Sequence, residues 1–424
     1  MKALQPILYA ILIIIGILIG NLNKITEISY NSKITNILGL IHEHYVDSIN
    51  QIELENNAIN SILNELDPHS SFISIKDVKT VEEDMKGSFS GIGVEFNIIN
   101  DSIVVVSPIS GGPSERLGIQ SGDRIINVEK ENVAGIGIKN DGVINRLRGE
   151  KGSNVNIIIK RRGQNQLIKY NIIRDDIPLF SVDAGIMLEN NIGYIKINRF
   201  AATTYVEMMK KVNALKAQGL EKLIIDFRGN PGGYLHIANQ ICDEFLKEGE
   251  LIVFTKGRKR SINKTFATKN GSLENMQVIA LINEGSASAS EIVSGALQDN
   301  DRGIIIGRRS FGKGLVQEQI TLNDGSIMRL TTQRYFTPSG RCIQKDYGGN
   351  IKDYYLEQYT RKDTLFDLPD TLKHTTKNGR IVYGGGGINP DIIINRDTNL
   401  NYLQINKMMS KGWINEFCFE KSEF

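Results

Sequence analysis

The chain has 424 residues, 41% of them apolar, and its 50 Lys+Arg against 48 Asp+Glu give a formal charge of +2. That length accommodates about three domains, and the near-neutral balance offers no electrostatic footprint for nucleic acid. The 41 glycines and 9 prolines imply many tight turns, with no collagen-like period or low-complexity tract.

The start stands apart. Leu4 to Gly20 is almost wholly apolar, with Lys2 before it and Asn21 after. A positive flank and an apolar run are the pattern of a membrane-insertion signal. Leu18-Ile19-Gly20 is a poor small-x-small cleavage site. The expectation is an uncleaved signal anchor over residues 1–20, with a cleaved signal peptide as its rival. Residues 21–85 form a helical N-terminal region. Ile34, Ile37, Leu38, Ile41 and Tyr45 recur at helical spacing, then Ile52, Ile59, Ile62, Leu63 and Leu66 do. Asp67-Pro68-His69-Ser70 stops the pattern, because proline restricts the residue before it.

Residues 86–175 read as a β-rich module. Gly91–Phe96 and Ser102–Val106 are strands, Gly111-Gly112-Pro113 is a turn, and Ser114–Gly118 is a short helix ending in glycine. Asp123–Val128 is a strand, Val143–Leu147 a helix, and Asn156–Lys160 a strand. This order resembles a PDZ domain. The resemblance implies binding of a chain terminus as an added strand, with backbone N–H groups holding its carboxylate. It puts Phe89, Gly91, Ile92 and Gly93 in the carboxylate-binding loop. The bland reading is a small structural β domain.

Residues 176–350 alternate strand and helix. Ile192–Ile197 is a strand and Thr204–Gln218 an amphipathic helix. Leu223–Phe227 is a nearly all-apolar strand of the kind buried in layered α/β cores. A helix over Tyr234–Leu246, strands at Leu251–Phe254 and Val278–Ile282, a helix over Ser288–Leu297 and a strand at Gly303–Gly307 follow. The alternation predicts an α/β layered core. Asn323-Asp324-Gly325 between Ile320–Leu322 and Ile327–Thr331 signals a hairpin. Residues 351–424 are a C-terminal part of the core or a capping subdomain. Four glycines after Tyr383 make a loop, and Leu400–Phe417 has helical patterning.

The chemistry sits in two segments, Gly285-Ser286-Ala287-Ser288-Ala289-Ser290-Glu291 and Phe311-Gly312-Lys313-Gly314-Leu315-Val316-Gln317. A serine hydroxyl needs a base to become a nucleophile. A lysine serves only when neutral, and burial or nearby positive charge brings its pKa down from about 10.4. Gln317, four residues on in an extended segment, shares a direction with Lys313, and an amide there orients the amine without adding charge. Glu291 is placed to cap the new helix. Cys242, Cys342 and Cys418 are an odd set without paired spacing, and Cys242 fits core packing. His42, His44, His69, His236 and His374 show no metal-ligand spacing.

Together with Leu66–Ser70, the PDZ-like module and Arg228-Gly229-Asn230-Pro231-Gly232-Gly233, these segments resemble the carboxyl-terminal processing peptidases, or tail-specific proteases, over nearly all of residues 35–345. The resemblance implies a layered α/β serine-peptidase core with an inserted PDZ-like domain and a helical N-terminal region. It implies a serine endopeptidase that hydrolyses bonds near substrate C-termini without a cofactor. It places the nucleophile on Ser288, the base on Lys313 and the supporting amide on Gln317, leaving Ser286 and Ser290 as decoys. It assigns an oxyanion hole to the Ala289 amide and a glycine of Gly232-Gly233, and puts Arg148 near a contact between the PDZ and catalytic regions. With the apolar start, it implies the bacterial cell envelope, inner-membrane anchored, with the catalytic region in the periplasm or otherwise outside the cytoplasmic membrane. Expected partners are a protein or peptide substrate held by its C-terminus, the membrane through the N-terminal segment, and no nucleic acid. The helical termini suit either a homodimer contact or intrachain packing, and an adaptor or activating partner is a further reading. Ser310-Phe311-Gly312-Lys313 also spells Ser-x-x-Lys, but the Lys-Thr-Gly of penicillin-binding enzymes is absent. The alternative from another class is a catalytically silent or partner-activated peptide-binding scaffold.

Overall fold

The structure, a computed structural model, describes residues 33–361, 369–396 and 402–422. These residues fall into two units, divided after Glu65. The first unit holds two helices, α1 (Lys33–His44) and α2 (Gln51–Asn64). Asn50 caps α2 by accepting from the Glu53 N–H at 3.3 Å.

The second unit begins with a turn built by one side chain. Asp67 Oδ1 accepts from the His69 and Ser70 N–H groups, each at 2.8 Å, and Oδ2 accepts from Ser70 Oγ at 2.6 Å. This Asx turn frees the chain from helix and launches β1 (Ser71–Ile73). Helix α3 (Ile75–Lys86) follows and ends at Gly87, whose φ of 83° suits glycine.

The β-rich insert starts at β2 (Ser88–Gly91). It continues through β3 (Val94–Ile99), β4 (Ser102–Pro108), α4 (Pro113–Arg116), β5 (Arg124–Val128), β6 (Glu131–Asn132), α5 (Asn140–Leu147), β7 (Asn154–Lys160) and β8 (Ile168–Ile173), and leaves through β9 (Asp175–Pro178). Strand order is β3-β4-β5-β7-β8, with β6 beside β5, so β3 is an edge. Ile103, Val105, Ile125, Val143, Val155, Ile157, Ile159 and Ile172 form its core. The sequence suggests one strand from Gly91 to Phe96. The structure breaks it at Ile92-Gly93, where Gly93 has φ of 75° and the chain leaves β2 for β3.

The remaining elements are β10 (Val182–Met187), β11 (Ile192–Ile197), α6 (Thr204–Lys216), β12 (Lys222–Asp226), α7 (Leu235–Phe245), β13 (Leu251–Gly257), β14 (Arg260–Phe266), β15 (Gln277–Ile282), α8 (Ala289–Asp299), β16 (Ile304–Gly307), β17 (Leu315–Thr321), β18 (Ile327–Phe336) and α9 (Ile351–Thr360). A small hairpin, β19 (Lys373–Thr375) with β20 (Ile381–Tyr383), precedes β21 (Ile392–Ile393), α10 (Tyr402–Ser410) and α11 (Trp413–Ser422). One sheet runs β10-β11-β12-β15-β16-β21 and is parallel from β11 onward. A second sheet runs β1-β18-β13-β14, with β17 also on β18. Helix α8 is buried at every position, so it is the central helix of the core.

The expected membrane anchoring in the inner membrane is corrected here. Among the described residues no helix is long and apolar enough to cross a membrane. The segment 1–20, on which that expectation rested, lies outside the described residues.

Candidate active site

Strands β12 and β15 are parallel neighbours. The chain leaving β12 makes the Gly232-Gly233 turn before α7, and the chain leaving β15 reaches Ser288 before α8. Both loops therefore open beyond the carboxyl ends of the same strand pair, where α/β sheets form crevices.

Three alternating serines have different fates. Ser286 Oγ donates to the Phe227 carbonyl at 2.8 Å, and Ser290 Oγ donates to the Asn230 carbonyl at 3.0 Å. Both are fully buried. Ser288 between them is partly exposed, with φ 54° and ψ −111°. A β-carbon in that region is strained, and such strain persists only where the surroundings enforce it. Tyr335 Oη on β18 helps by donating to the Ser288 carbonyl at 3.1 Å.

Glu291, with no exposed surface, joins the two sequence segments. Its Oε2 accepts from the Ser288 N–H at 2.8 Å and from the Lys313 N–H at 2.9 Å. Two donors on one oxygen keep those backbone nitrogens no more than about 6 Å apart. Its Oε1 accepts from the Gly312 N–H at 2.7 Å and from Ser310 Oγ at 2.5 Å.

Lys313 is largely buried and makes no ion pair among the described residues. Desolvation and then the Arg329 guanidinium push its pKa below the usual lysine value, with Glu291 and Asp67 opposing them. Gln317 lies on β17 opposite Thr331 of β18. Gln317 Nε2 donates to Thr331 Oγ1 at 3.3 Å, and Thr331 Oγ1 donates to Asp67 Oδ1 at 3.1 Å. His69 sits beside this group, its Nε2 2.7 Å from Tyr354 Oη. Burial, followed by the Lys313 charge, lowers its pKa to about 4.

Gly232 has φ of 101°, and a β-carbon there would lie 2.8 Å from Ser288 Cβ and 2.9 Å from the Ala289 nitrogen. The Gly232 N–H donates to Asn230 Oδ1 at 2.9 Å. Neither the Gly233 N–H nor the Ala289 N–H has an acceptor among the described residues. The two candidate glycines thus differ: one amide is engaged and the other is open.

The insert carries its own cleft, about 340 Å³, between β3 and α5. Phe89, Ile92, Gly93, Val94, Ile144, Leu147 and Arg148 are among the residues that line it. Gly91 ends β2 below the cleft, and a β-carbon there would meet the Phe89 ring at 3.1 Å. The N–H groups of Ile92 and Gly93 have no acceptor among the described residues. The Arg148 guanidinium lies 4.2 Å from the Phe89 ring centroid and donates to Glu83 on α3 at 2.8 Å.

Residues 191–355 match the description "Peptidase family S41", and residues 90–172 match "PDZ domain". A "Carboxy-terminal-processing protease" of Bartonella bacilliformis is 38% identical over 309 residues, spanning 72% of this chain and 70% of that protein. The chain belongs to peptidase family S41. A "Probable CtpA-like serine protease" of Staphylococcus aureus is 33% identical over 83% of this chain and 70% of its own length. The solved photosystem II D1 C-terminal processing protease aligns with 87% of this chain and 88% of its own, at 24% identity and a TM-score of 0.42. This S41 chain is a serine peptidase with a PDZ domain and a mixed α/β core.

Two features of the S41 site escaped sequence reading. Glu291 was legible as a helix cap, but not as an acceptor for the lysine loop. The link from Gln317 through Thr331 to Asp67 joins segments far apart in sequence. Its one local signal was the Asp67-Pro68-His69-Ser70 turn, where a carboxylate two residues before a free N–H favours an Asx turn.

Proposed function

We propose that this S41 peptidase is an endopeptidase with Ser288 as nucleophile and Lys313 as general base, and that its PDZ domain holds the C-terminal region of protein substrates near the bond to be cut. The observation that carries this reading is the single Glu291 oxygen accepting from both the strained Ser288 turn and the Lys313 loop. Lys313, depressed by burial and by Arg329, has the ground-state bias that a neutral amine base requires.

In the proposed cycle, Lys313 Nζ takes the proton of Ser288 Oγ as that oxygen attacks a peptide carbonyl. The open N–H groups of Ala289 and Gly233 stabilise the oxyanion. The Lys313 ammonium then protonates the leaving amine. Water then gives a proton to the neutral Lys313 amine and attacks the acyl carbonyl; as the acyl–oxygen bond breaks, the Lys313 ammonium returns that proton to Ser288 Oγ and the product leaves as a carboxylic acid. Gln317 orients the amine, held in turn by Thr331. In the PDZ domain the tail adds to the free edge of β3, with its carboxylate on the Ile92 and Gly93 amides. Arg148, stacked on Phe89 and paired with Glu83, couples an occupied groove to α3.

The test compares wild type with Ser288→Ala and Lys313→Ala on unfolded proteins with free or blocked C-termini, following fragments by mass spectrometry. Loss of cutting in both folded variants, and slower cutting of blocked ends by wild type, is expected. Cutting retained by either variant rejects the dyad, and equal cutting of blocked ends rejects terminal recognition. A homodimer contact is part of the same reading. Exposed Ile405, Met408, Met409, Trp413 and Phe417 on α10 and α11 support it. Light scattering on chains with and without residues 402–424 tests it, and equal masses reject it.

A further inference from the structure

We infer that Glu291 is a positioning residue whose single buried carboxylate fixes the Ser288 turn and the Lys313 loop to each other and biases the charge of Lys313. The inference rests on the Ser288–Lys313 reading and deepens it. Capping α8 requires only the Ser288 N–H contact. Three further donors come from a loop 19 to 22 residues on: Ser310 Oγ, the Gly312 N–H and the Lys313 N–H. Four donors converge on the two oxygens of a side chain with no exposed surface. Only a carboxylate has two acceptor oxygens and no donor. A glutamine of the same length must turn its NH2 toward two of the four donors. An aspartate is one methylene short of the loop.

The charge has a second consequence. Burial raises the Glu291 carboxyl to about 7, against the pull of its four donors. Lys313, Lys345, Tyr335 and Tyr354 are the titratable groups that feel Glu291. Arg329, Asp67 and His69 are the other groups that feel Lys313. An ionised Glu291 favours the Lys313 ammonium. A protonated Glu291 has lost an acceptor oxygen and loosens the loop. Activity on the acid side therefore requires both an ionised Glu291 and a neutral Lys313.

Two substitutions separate this role from plain structural support. Glu291→Gln removes the negative charge, so Lys313 loses its proton more easily and the acid limb of kcat/KM moves to lower pH. Ser310→Ala removes one donor from the carboxylate, so Glu291 protonates more easily, its charge supports the Lys313 ammonium less, and the limb also moves to lower pH. Each shift is expected to be about one pH unit. In Glu291→Gln, kcat and the rate of fluorophosphonate labelling of Ser288 fall on the order of 10- to 100-fold, with KM little changed. Shifts of both limbs to lower pH support the inference. Wild-type limbs in both folded variants, or wild-type labelling in Glu291→Gln, overturn it. Should Glu291→Gln fail to fold by circular dichroism, Ser310→Ala decides alone, and an unmoved limb overturns the inference. Lys313→Ala is run alongside: cutting retained there rejects the dyad itself, whereas an inert Lys313→Ala beside a fully active Glu291→Gln rejects only the role of Glu291.

Discussion

Two turns in this molecule offer unengaged backbone N–H groups to an oxygen, and they are held very differently. In the PDZ domain, Ile92 and Gly93 sit beside an edge strand. Their carbonyls are tied by Ser114 Oγ to Ile92 at 2.6 Å and by the Ile109 N–H to Gly93 at 3.0 Å. The space beyond is a cleft lined mainly by apolar side chains. In the core, Ala289 and Gly233 sit among backbone atoms that leave no room. A β-carbon on Gly233 would come 2.2 Å from the Phe200 carbonyl oxygen. A tail can be accommodated by small adjustments of the first site. In the proposed mechanism the second is rigid before the substrate arrives, because stabilising a transition state depends on dipoles already in place.

The comparison breaks most sharply at Ser288. Ser288→Ala is expected to lower kcat by on the order of 10⁴-fold or more while tail affinity, read by fluorescence anisotropy, stays at the wild-type value. Weakened tail binding would mean that the two turns are not independent. Next comes Gly232→Ala. The added methyl meets Ser288 and Ala289, and φ of 101° is strained for any side chain. A loss of about 100- to 1,000-fold in kcat is expected, the scale of a lost oxyanion donor. The matching change in the PDZ turn, Gly93→Ala, should be milder. Its β-carbon meets chiefly the Ile177 Cδ1 at 2.9 Å, the end of a side chain that can move. Tail affinity should weaken about tenfold, or about 1.4 kcal/mol, with kcat at saturating substrate unchanged. A loss as deep as that of Gly232→Ala would erase the contrast.

The smallest expected effect concerns pH. In the proposed mechanism Lys313 works as a neutral base, so activity is expected to rise as pH passes upward through its lowered pKa. The Arg329 cation disfavours the ammonium. Arg329→Gln therefore raises the Lys313 pKa and moves the acid limb of kcat/KM to higher pH, by about one unit or less. A limb that stays in place, measured with initial rates, would remove Arg329 from the account of the base.

Where chemistry depends on neighbours in the chain, the sequence is readable. Ser286, Ser288 and Ser290 alternate around a helix start, and the hairpin at Asn323-Asp324-Gly325 joins β17 to β18 with Gly325 at φ of 88°. The strand β14 was not readable, because its residues are almost all exposed and carry no apolar pattern. The basic run Lys256–Arg260 is the turn of the β13–β14 hairpin with strand at both ends. Which of Gly232 and Gly233 keeps an unengaged N–H was also hidden. It depends on the Asn230 side chain folding back two residues to take one amide and not the other. The Glu291 clamp was hidden for a different reason: helix capping already accounted for that glutamate locally, and nothing in the sequence points to a second task.

The insert enters along β2 and leaves along β9, and these two strands pair with each other. Just beyond them the Leu179 N–H donates to the Gly87 carbonyl at 2.9 Å, closing the neck. A module joined by a paired stem of this kind behaves as a removable head. Its two attachment points lie side by side, so an exchange of the whole head leaves the ends of the host chain where they were. Selection can thus refashion what the enzyme reads without rebuilding the scaffold that cuts, and a protein engineer can use the same socket.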